Sequence, residues 1–581
     1  MPLRLGQEVQ EVPRGRAVGR TALLLLSLGP TALPARAQSS TVARAGSFDS
    51  LDVLRRAREA VRRFEQARRA ELPPDPGDGR GACDVQIGRF CYWYTPPPAE
   101  PPPEPSRIDQ ARADLLDQLA DAASLLPGDG WIAGQRVRYL VEHGRPSSAV
   151  AAARECRAER WWCTALQALG LHVQEEDAAA DSLFARALAL MPPSERCTWL
   201  DLSPLLGDVS QRYARAPCSA REGENLRIWW LARPLYSRPG NDLRAEHYAR
   251  HVMVRMLADA ETAHGIPWGD DTAELILRYG WPIHWTRPGP SPGGGDRPAA
   301  VGHERTPSWW FFASSDVPPA WDLERERPTA RYAPTWASRF TTIRDAQIAR
   351  FRRGDSVVTV AGFDVSADTS LAGQVPKVRL AVGTDAASPV VVGPAVAAAW
   401  GGVAVRSVDP PAVVSLEAVH EASGWAARLR TATADPTAWV TSRLSDLLLV
   451  SADAVVAGAM ASLTSMALPG ATLAARRPIG IYWEWYEHPP QGTVVTIEAR
   501  VAHVGGRAAP SPLGRSECIP PEQAAMALQW REGSNGQAAL GRSVTLDVTG
   551  LEPGRYLIAV SMRAGDGPVR CASRDILLVG S

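Results

Sequence analysis

Near Phe351 the hydrophobic residues of this chain change their period, and that switch constrains the fold more than any other feature. Upstream, apolar residues recur every three or four positions, as on helices that bury one face; downstream they alternate, as on strands. "FDSLDVLRRAREAVRRFEQARRAELPP" reads as one amphipathic helix, with Leu54, Ala57, Val61 and Phe64 on its buried face and Pro73 ending it. Interleaved Glu59, Glu65 and Glu71 give its arginines the character of a solvated face. The spacing stays helical from about Ile108 to Pro193, and "NDLRAEHYARHVMVRMLADAETAHG" is a further helix with Gly265 as its stop. Then "SVVTVAGFDVS", "KVRLAVGT", "AVVSLEAVH", "DLLLVSAD", "IGIYWEWYE", "VVTIEARVAHV", "SVTLDVTG" and "RYLIAVSMR" follow as strands separated by turn residues. The fold class is therefore multidomain α + β: an N-terminal helical layer, a small α/β module and two C-terminal antiparallel β-sandwich domains.

At 581 residues the chain is too long for one core. Composition shifts divide it as follows: 1–37, a signal peptide; 38–106, the amphipathic helix, a disulfide loop and a Pro-rich linker; 107–193, helical repeats. Next come 194–226, a disulfide-closed connector; 227–345, the α/β module; 346–470, a β-sandwich; and 471–581, a second sandwich carrying a disulfide. The first segment has Arg14, Arg16 and Arg20 ahead of "TALLLLSLGPTAL", and "ARA" at Ala35 to Ala37 offers small residues for cleavage after Ala37. That apolar run falls short of the ~20 residues needed to span a bilayer. A periplasmic or extracellular location follows, with no transmembrane segment in the mature chain. Formal net charge is zero, which argues against nucleic acid as a partner.

The cysteines agree with export. Eight of them fall into neighbouring couples: Cys83 with Cys91, Cys156 with Cys163, Cys197 with Cys218, and Cys518 with Cys571. On one continuous helix Cys156 and Cys163 would stand ~10 Å apart, beyond disulfide reach, so pairing them requires a turn at "RAER".

Within "ALGLHVQEEDAAADSLFARALALMP", Ala168, Ala180, Phe184, Ala187 and Pro192 stand at the offsets of a tetratricopeptide repeat, and Gly144, Ala149 and Ala153 suggest a degenerate second copy. Such helices resemble arrays that bind protein or peptide partners. "WGDDTAELILRYGWP" resembles the signature of GWxTD-domain proteins, an exported bacterial family: Trp268 falls on its Trp, Asp271 on its Asp, and Tyr279, Gly280 and Pro282 on its terminal triplet. Pro267, Asp270 and Thr272 depart from that signature. The resemblance runs from about Ile228 to Val579 and implies export and a tetratricopeptide-like layer upstream of a GWxTD-like module. By alternation, "AELILRYG" reads as a strand with Leu275 and Leu277 on one face, Trp268 covering a core end, Gly280 permitting close approach and Pro282 stopping further pairing. The segment is expected to act as a structural device joining helices to sheets.

Three groups of residues invite chemistry. Asp270, Asp271 and Glu274 could form the acid–base set of an envelope hydrolase, although adjacent aspartates in a turn more often serve as caps. His247 and His251 share one helical face at metal-ligand spacing, without a third ligand or an H-E-x-x-H pattern, and read better as surface or interface histidines. In "IYWEWYE", among 20 tryptophans in the chain, Trp483 and Trp485 share one face and Tyr482 and Tyr486 the other, so one pair could form a platform for a glycan. There is no nucleophile elbow, phosphate-binding loop or dinucleotide fingerprint, and Lys377 is the sole lysine. The sequence points to binding or scaffolding without catalysis, and implies no cofactor.

Overall fold

The computed structural model describes residues 49–75, 84–93, 102–205, 213, 215–288, 298–304, 334–371, 373–433, 442–452, 460–475, 477–506, 510–534, 536 and 540–580. The expected signal segment, Cys83 and the stretch "SWWFFASS", which reads as a partner strand within the 227–345 module, lie outside the described residues. From Ser50 onward the chain forms one compact unit.

Among the described residues ten helices and two short hairpins build its first half. They are α1 (Ser50–Glu71), β1 (Val85–Ile87), β2 (Phe90–Tyr92), α2 (Ser106–Leu125), α3 (Gly130–Glu142), α4 (Pro146–Glu155), α5 (Arg160–Val173), α6 (Asp177–Leu190) and α7 (Pro193–Trp199). Then come α8 (Cys218–Ala232), α9 (Asp242–Ala258), α10 (Asp270–Tyr279), β3 (Pro282–Thr286) and β4 (Val301–Glu304). Local chemistry sets several boundaries. Asp129 caps α3 by accepting from the Ile132 amide, Asn241 caps α9 by accepting from that of Arg244, and Pro146 starts α4 where no amide donor is needed. Ala168, Ala180, Phe184 and Ala187 are fully buried where α5 and α6 meet, so the small residues do allow the close approach expected of them.

Two expectations change here. α1 does bury Ala57, Val61 and Phe64, but Glu65 is no part of a solvated face: it has no exposed surface and accepts from Arg138 (2.7 Å) and the Tyr139 hydroxyl (2.7 Å). α2 and α3 pack over that side of α1, so the carboxylate is buried together with its partners. α9 ends at Ala258, well before Gly265, and is enclosed around most of its circumference. The disulfides Cys156–Cys163, Cys197–Cys218 and Cys518–Cys571 are present, with Cα–Cα separations of 5.6, 5.6 and 5.3 Å. The break between α4 and α5 supplies the turn that the first of them needs. Cys91 is also disulfide-bonded.

The second half is a stack of four sheets. Its strands are β5 (Arg339–Thr342), β6 (Ala346–Arg353), β7 (Ser356–Asp364), β8 (Lys377–Gly383), β9 (Val391–Val392), β10 (Val396–Ala397), β11 (Trp400–Ser407), β12 (Val413–His420) and β13 (Trp425–Ala432). They continue with β14 (Leu448–Val450), β15 (Thr472–Ala474), β16 (Ile479–Trp485), β17 (Val494–His503), β18 (Met526–Gly533), β19 (Leu540–Leu546), β20 (Gly554–Ala564) and β21 (Arg570–Val579). The sheets run β10-β8-β12-β13-β5 with β9 beside β8, then β11-β7-β6, then β14-β16-β19, then β15-β21-β20-β17-β18. The first interface is filled by Phe363, Leu416 and Trp425; the last by Trp483, Val501 and Ile558. Between the middle sheets lie Phe351, Val358, Tyr482 and the short helix α11 (Met460–Met466) through Leu463. A sheet covered on both faces needs no polar side, which is why β7 is apolar along nearly its whole length.

Pairing also moves two expected edges. β14 pairs with β16, so Leu448–Val450 leaves the first sandwich for the second; β5 pairs in parallel with β13 and joins the first sandwich from the module upstream. Each sandwich is thus antiparallel apart from one parallel edge strand, β5 in the first and β15 in the second. The helical layer meets the sheets through α8. Arg430 of β13 donates to the carbonyls of Leu231 (2.6 Å) and Arg233 (2.7 Å), and Glu417 of β12 accepts from the amides of Tyr236 and Ser237. Among the described residues no helix is long and apolar enough to cross a membrane.

Candidate functional site at the ends of helix α10

The stretch "DDTAELILRY", expected as a strand, is helix α10. Its buried residues Thr272, Leu275, Ile276 and Tyr279 follow helical spacing, with aspartates in the first turn and Arg278 in the last, where the helix dipole favours each charge. Glu274 and Arg278 pair across one turn at 2.7 Å. Gly280 ends the helix at φ 92°, and its amide donates to the Ile276 carbonyl at 2.8 Å. Pro282 then opens β3 instead of stopping strand pairing, and the first residue of a strand is a position that proline tolerates. α10 lies against α9 and the β1–β2 hairpin, so it braces the helical layer internally; α8 makes the junction to the sandwiches.

The N-terminal end of α10 is held by Asp271. Its carboxylate takes both arms of the Arg89 guanidinium (2.7 and 2.7 Å), the Arg89 amide (3.1 Å) and the Thr272 amide (2.8 Å). Those bonds, Arg89 foremost, hold its carboxyl well below the usual range. Gly88 makes the approach possible: a Cβ there would lie 2.5 Å from that of Asp271. On the same side Tyr279 stacks on Tyr92, with ring centroids 3.6 Å apart. Asp270 is exposed and Trp268 is half-buried against the helical core.

The C-terminal end is held by Arg250 of α9. Its Nη1 donates to the carbonyls of Leu277 (3.1 Å) and Arg278 (2.9 Å), and its Nε to Glu246 Oε1 (2.6 Å). Glu246 Oε2 lies 2.7 Å from His172 Nε2, and His172 Nδ1 lies 3.3 Å from Asp177. Burial alone would keep His172 neutral; its bonds to Asp177 and Glu246 outweigh burial and push it up to about 9. Glu246 is driven the other way, to about 2, because Arg250 and His172 overcome the cost of burial. A cavity of about 260 Å³ opens beside this chain of charges, bounded by Val141, Glu142, His172, Glu246, Trp281 and Ile283.

The other candidates lie elsewhere. His247 and His251 are buried, their rings 4.7 Å apart and packed on Trp229 and Trp199. They are core side chains and not surface ones, because α9 is enclosed; burial keeps His251 neutral, down to about 3. Among the described residues no three His, Cys, Asp or Glu side chains are grouped to hold a metal. Tyr482, Trp483, Trp485 and Tyr486 are all buried, since β16 is covered by sheets on both faces, and none offers a ring to a sugar. Glu484 between them takes the Tyr482 hydroxyl and both arms of Arg353. Arg89, His172, Glu246 and Arg250 were not singled out from sequence. The four-residue step from Glu246 to Arg250 inside a largely apolar helix was the one local signal available.

Fold and site together define a multidomain α + β protein whose C-terminal domains are β-sheets. No family model and no curated protein matches the chain. Two of the solved structures similar to parts of it illustrate the likeness. One is a DUF3823 family protein from Bacteroides ovatus ATCC 8483, 9% identical, covering 40% of this chain and 98% of its own, with a TM-score of 0.14. The other is red sea bream transglutaminase, 12% identical, covering 41% of this chain and 31% of its own, with a TM-score of 0.12. Likeness at that level carries no argument.

Proposed function

We propose that the protein is an exported, disulfide-stabilised binding or scaffolding protein of the bacterial cell envelope. Its helices, read as tetratricopeptide-like, are the surface for protein or peptide partners. The GWxTD resemblance is kept within this reading: Asp271 is gripped at one end of α10, and the Tyr279-Gly280-Pro282 triplet directly follows the Leu277 and Arg278 carbonyls gripped at the other. One observation carries the proposal. Asp271 is committed to Arg89, Glu274 to Arg278 along the helix, and Glu246 to Arg250 and His172, while Asp270 stands exposed in the first turn of α10, outside the cavity beside Gly280. A hydrolase needs an acid or base free to exchange protons with substrate, and a carboxylate held by a bidentate arginine is a poor one. The three disulfides fit an oxidising compartment.

Photo-crosslinking from the exposed positions Ser147 on α4 and Ser182 on α6, in native envelope, should trap a defined partner at both sites. Turnover of a glycan or peptide substrate that disappears in Asp271→Asn at an unchanged melting temperature would overturn the reading.

A further inference from the structure

Three helices end at the hollow beside Gly280. Glu142 is the last residue of α3, Val173 the last of α5, and Gly280 follows the last of α10, and all three line the cavity. A helix C-terminus carries partial negative charge; the end of α10 already holds Arg250, and the ends of α3 and α5 favour a further positive group between them. The side chains of the floor point the same way. His172 has Nε2 2.7 Å from Glu246 and Nδ1 3.3 Å from Asp177, so its positive charge faces two carboxylates. Glu142 accepts from Arg138 Nε (2.8 Å) and Arg68 Nη1 (2.8 Å), and Glu246 from Arg250 and His172. Arg138 and Arg250 have no exposed surface and Arg68 almost none, so their charge is spent inward. Each carboxylate has about four acceptor sites and is using two. The floor thus has acceptor capacity left and its His172 charge turned toward carboxylates, while Val141, Val173, Trp281 and Ile283 make an apolar wall with one indole in it.

An anion would meet carboxylates and helix C-termini. A neutral apolar ligand would cover those acceptors without bonding them, which costs free energy. A cation on an aliphatic stem satisfies both parts: the stem lies along the wall, and the head donates to the floor and faces the indole. We propose that this hollow binds an organic cation, an alkylammonium or guanidinium head on a short apolar stem. Such a head is found on free amines and on the lysine and arginine side chains of a peptide. The inference rests on the binding function above and gives it a ligand chemistry; a hollow blind to cations would still leave a partner-binding scaffold in place.

Isothermal titration calorimetry of the full chain with n-butylammonium, n-butanol, butyrate and the peptide acetyl-Ala-Lys-Ala-amide tests it. Butylammonium and the peptide should bind saturably and more weakly as salt rises, with butanol and butyrate at least tenfold weaker. Ile283 is 39% exposed at the rim and outside the buried charge network, so its variants should fold, as an unchanged melting temperature will confirm. Ile283→Arg places a cation at the mouth and should weaken butylammonium at least tenfold; Ile283→Glu should strengthen it. A peptide that binds more tightly than butylammonium supports the site and assigns it to partner side chains; equal affinity supports it and assigns it to free amines. Butanol binding as well as butylammonium, an Ile283→Arg protein that binds unchanged, or no heat from any cation with folded protein overturns the proposal.

Discussion

Replacing Arg250 by Met should loosen helix α10 more than any surface change in the region. The guanidinium has no exposed surface and makes three bonds: one to Glu246 Oε1 at 2.6 Å and two to the carbonyls that end α10. Met keeps most of the volume, so the loss is electrostatic and not a cavity. Breaking a buried pair by removing one partner costs about 3–5 kcal/mol, because the other charge stays buried. Glu246 retains His172, which places the expected loss near the lower end, about 3 kcal/mol, or roughly a hundredfold in the local opening equilibrium. Urea titration followed by near-ultraviolet circular dichroism, with limited proteolysis mapped across residues 259–288, reads both the global and the local effect. The double variant Glu246→Gln/Arg250→Met removes the stranded charge and should recover about 1–3 kcal/mol of the loss. If Arg250→Met melts with the parent, or if the two substitutions simply add, the clamp does not hold the helix as argued.

The other clamp and two buried titrations give further tests. Asp271→Asn should cost about 2 kcal/mol at neutral pH, since Asp271 and Arg89 are only partly exposed and bonded through both arms. The folded carboxyl titrates below its ordinary value of 3.8, so its contribution is present above that pH and lost below it; the gap between parent and variant melting temperatures should close on acidification. His172 runs in the opposite sense: raised from 6.5 to about 9, its pairing contributes about 3 kcal/mol below pH 6.5 and fades as pH climbs through 9. His172→Gln should lack that alkaline loss in thermal melts from pH 6 to 9.5. Asp242, pushed up to about 6 by burial and by Asp177, should be a burden once ionised, its contribution present below pH 3.8 and lost through pH 6. Asp242→Asn keeps an acceptor for the Trp336 indole and should raise stability by about 1–3 kcal/mol at pH 7.5 but not at pH 3.5.

What sequence could tell was the repeating part of the structure. Strands with turn residues between them, an amphipathic helix ending before Pro73, and cysteines near in sequence all leave local marks, and all eight quoted strand segments are strands. Helix α10 was misread because the short apolar run Leu275 to Leu277 suits a buried strand as well as a helix; the capping signals at both ends, Asp270 with Asp271 and then Gly280, carried the better information. The burial of Glu65, His247 and the β16 aromatics depends on which elements cover them, and period alone does not say how many faces of a helix or strand are covered. The clamps were harder still. His172 and Glu246 are 74 residues apart, and Arg89 and Asp271 are 182 apart, so no local pattern links them. Only the carboxylate ends of those pairs fall in or near the motif.

Helix α10, pinned at Asp271 and at the Leu277 and Arg278 carbonyls, is on this account a structural brace within the helical layer. Native-state hydrogen exchange of the amides from Leu275 to Gly280 tests it most directly. These amides should exchange as slowly as those in the middle of α9, near Val252, and both sets should quicken together only when the whole layer opens. Exchange at the rate of exposed turns such as Gly354, with α9 still protected, would mean that the two arginine clamps are not what holds this helix in place.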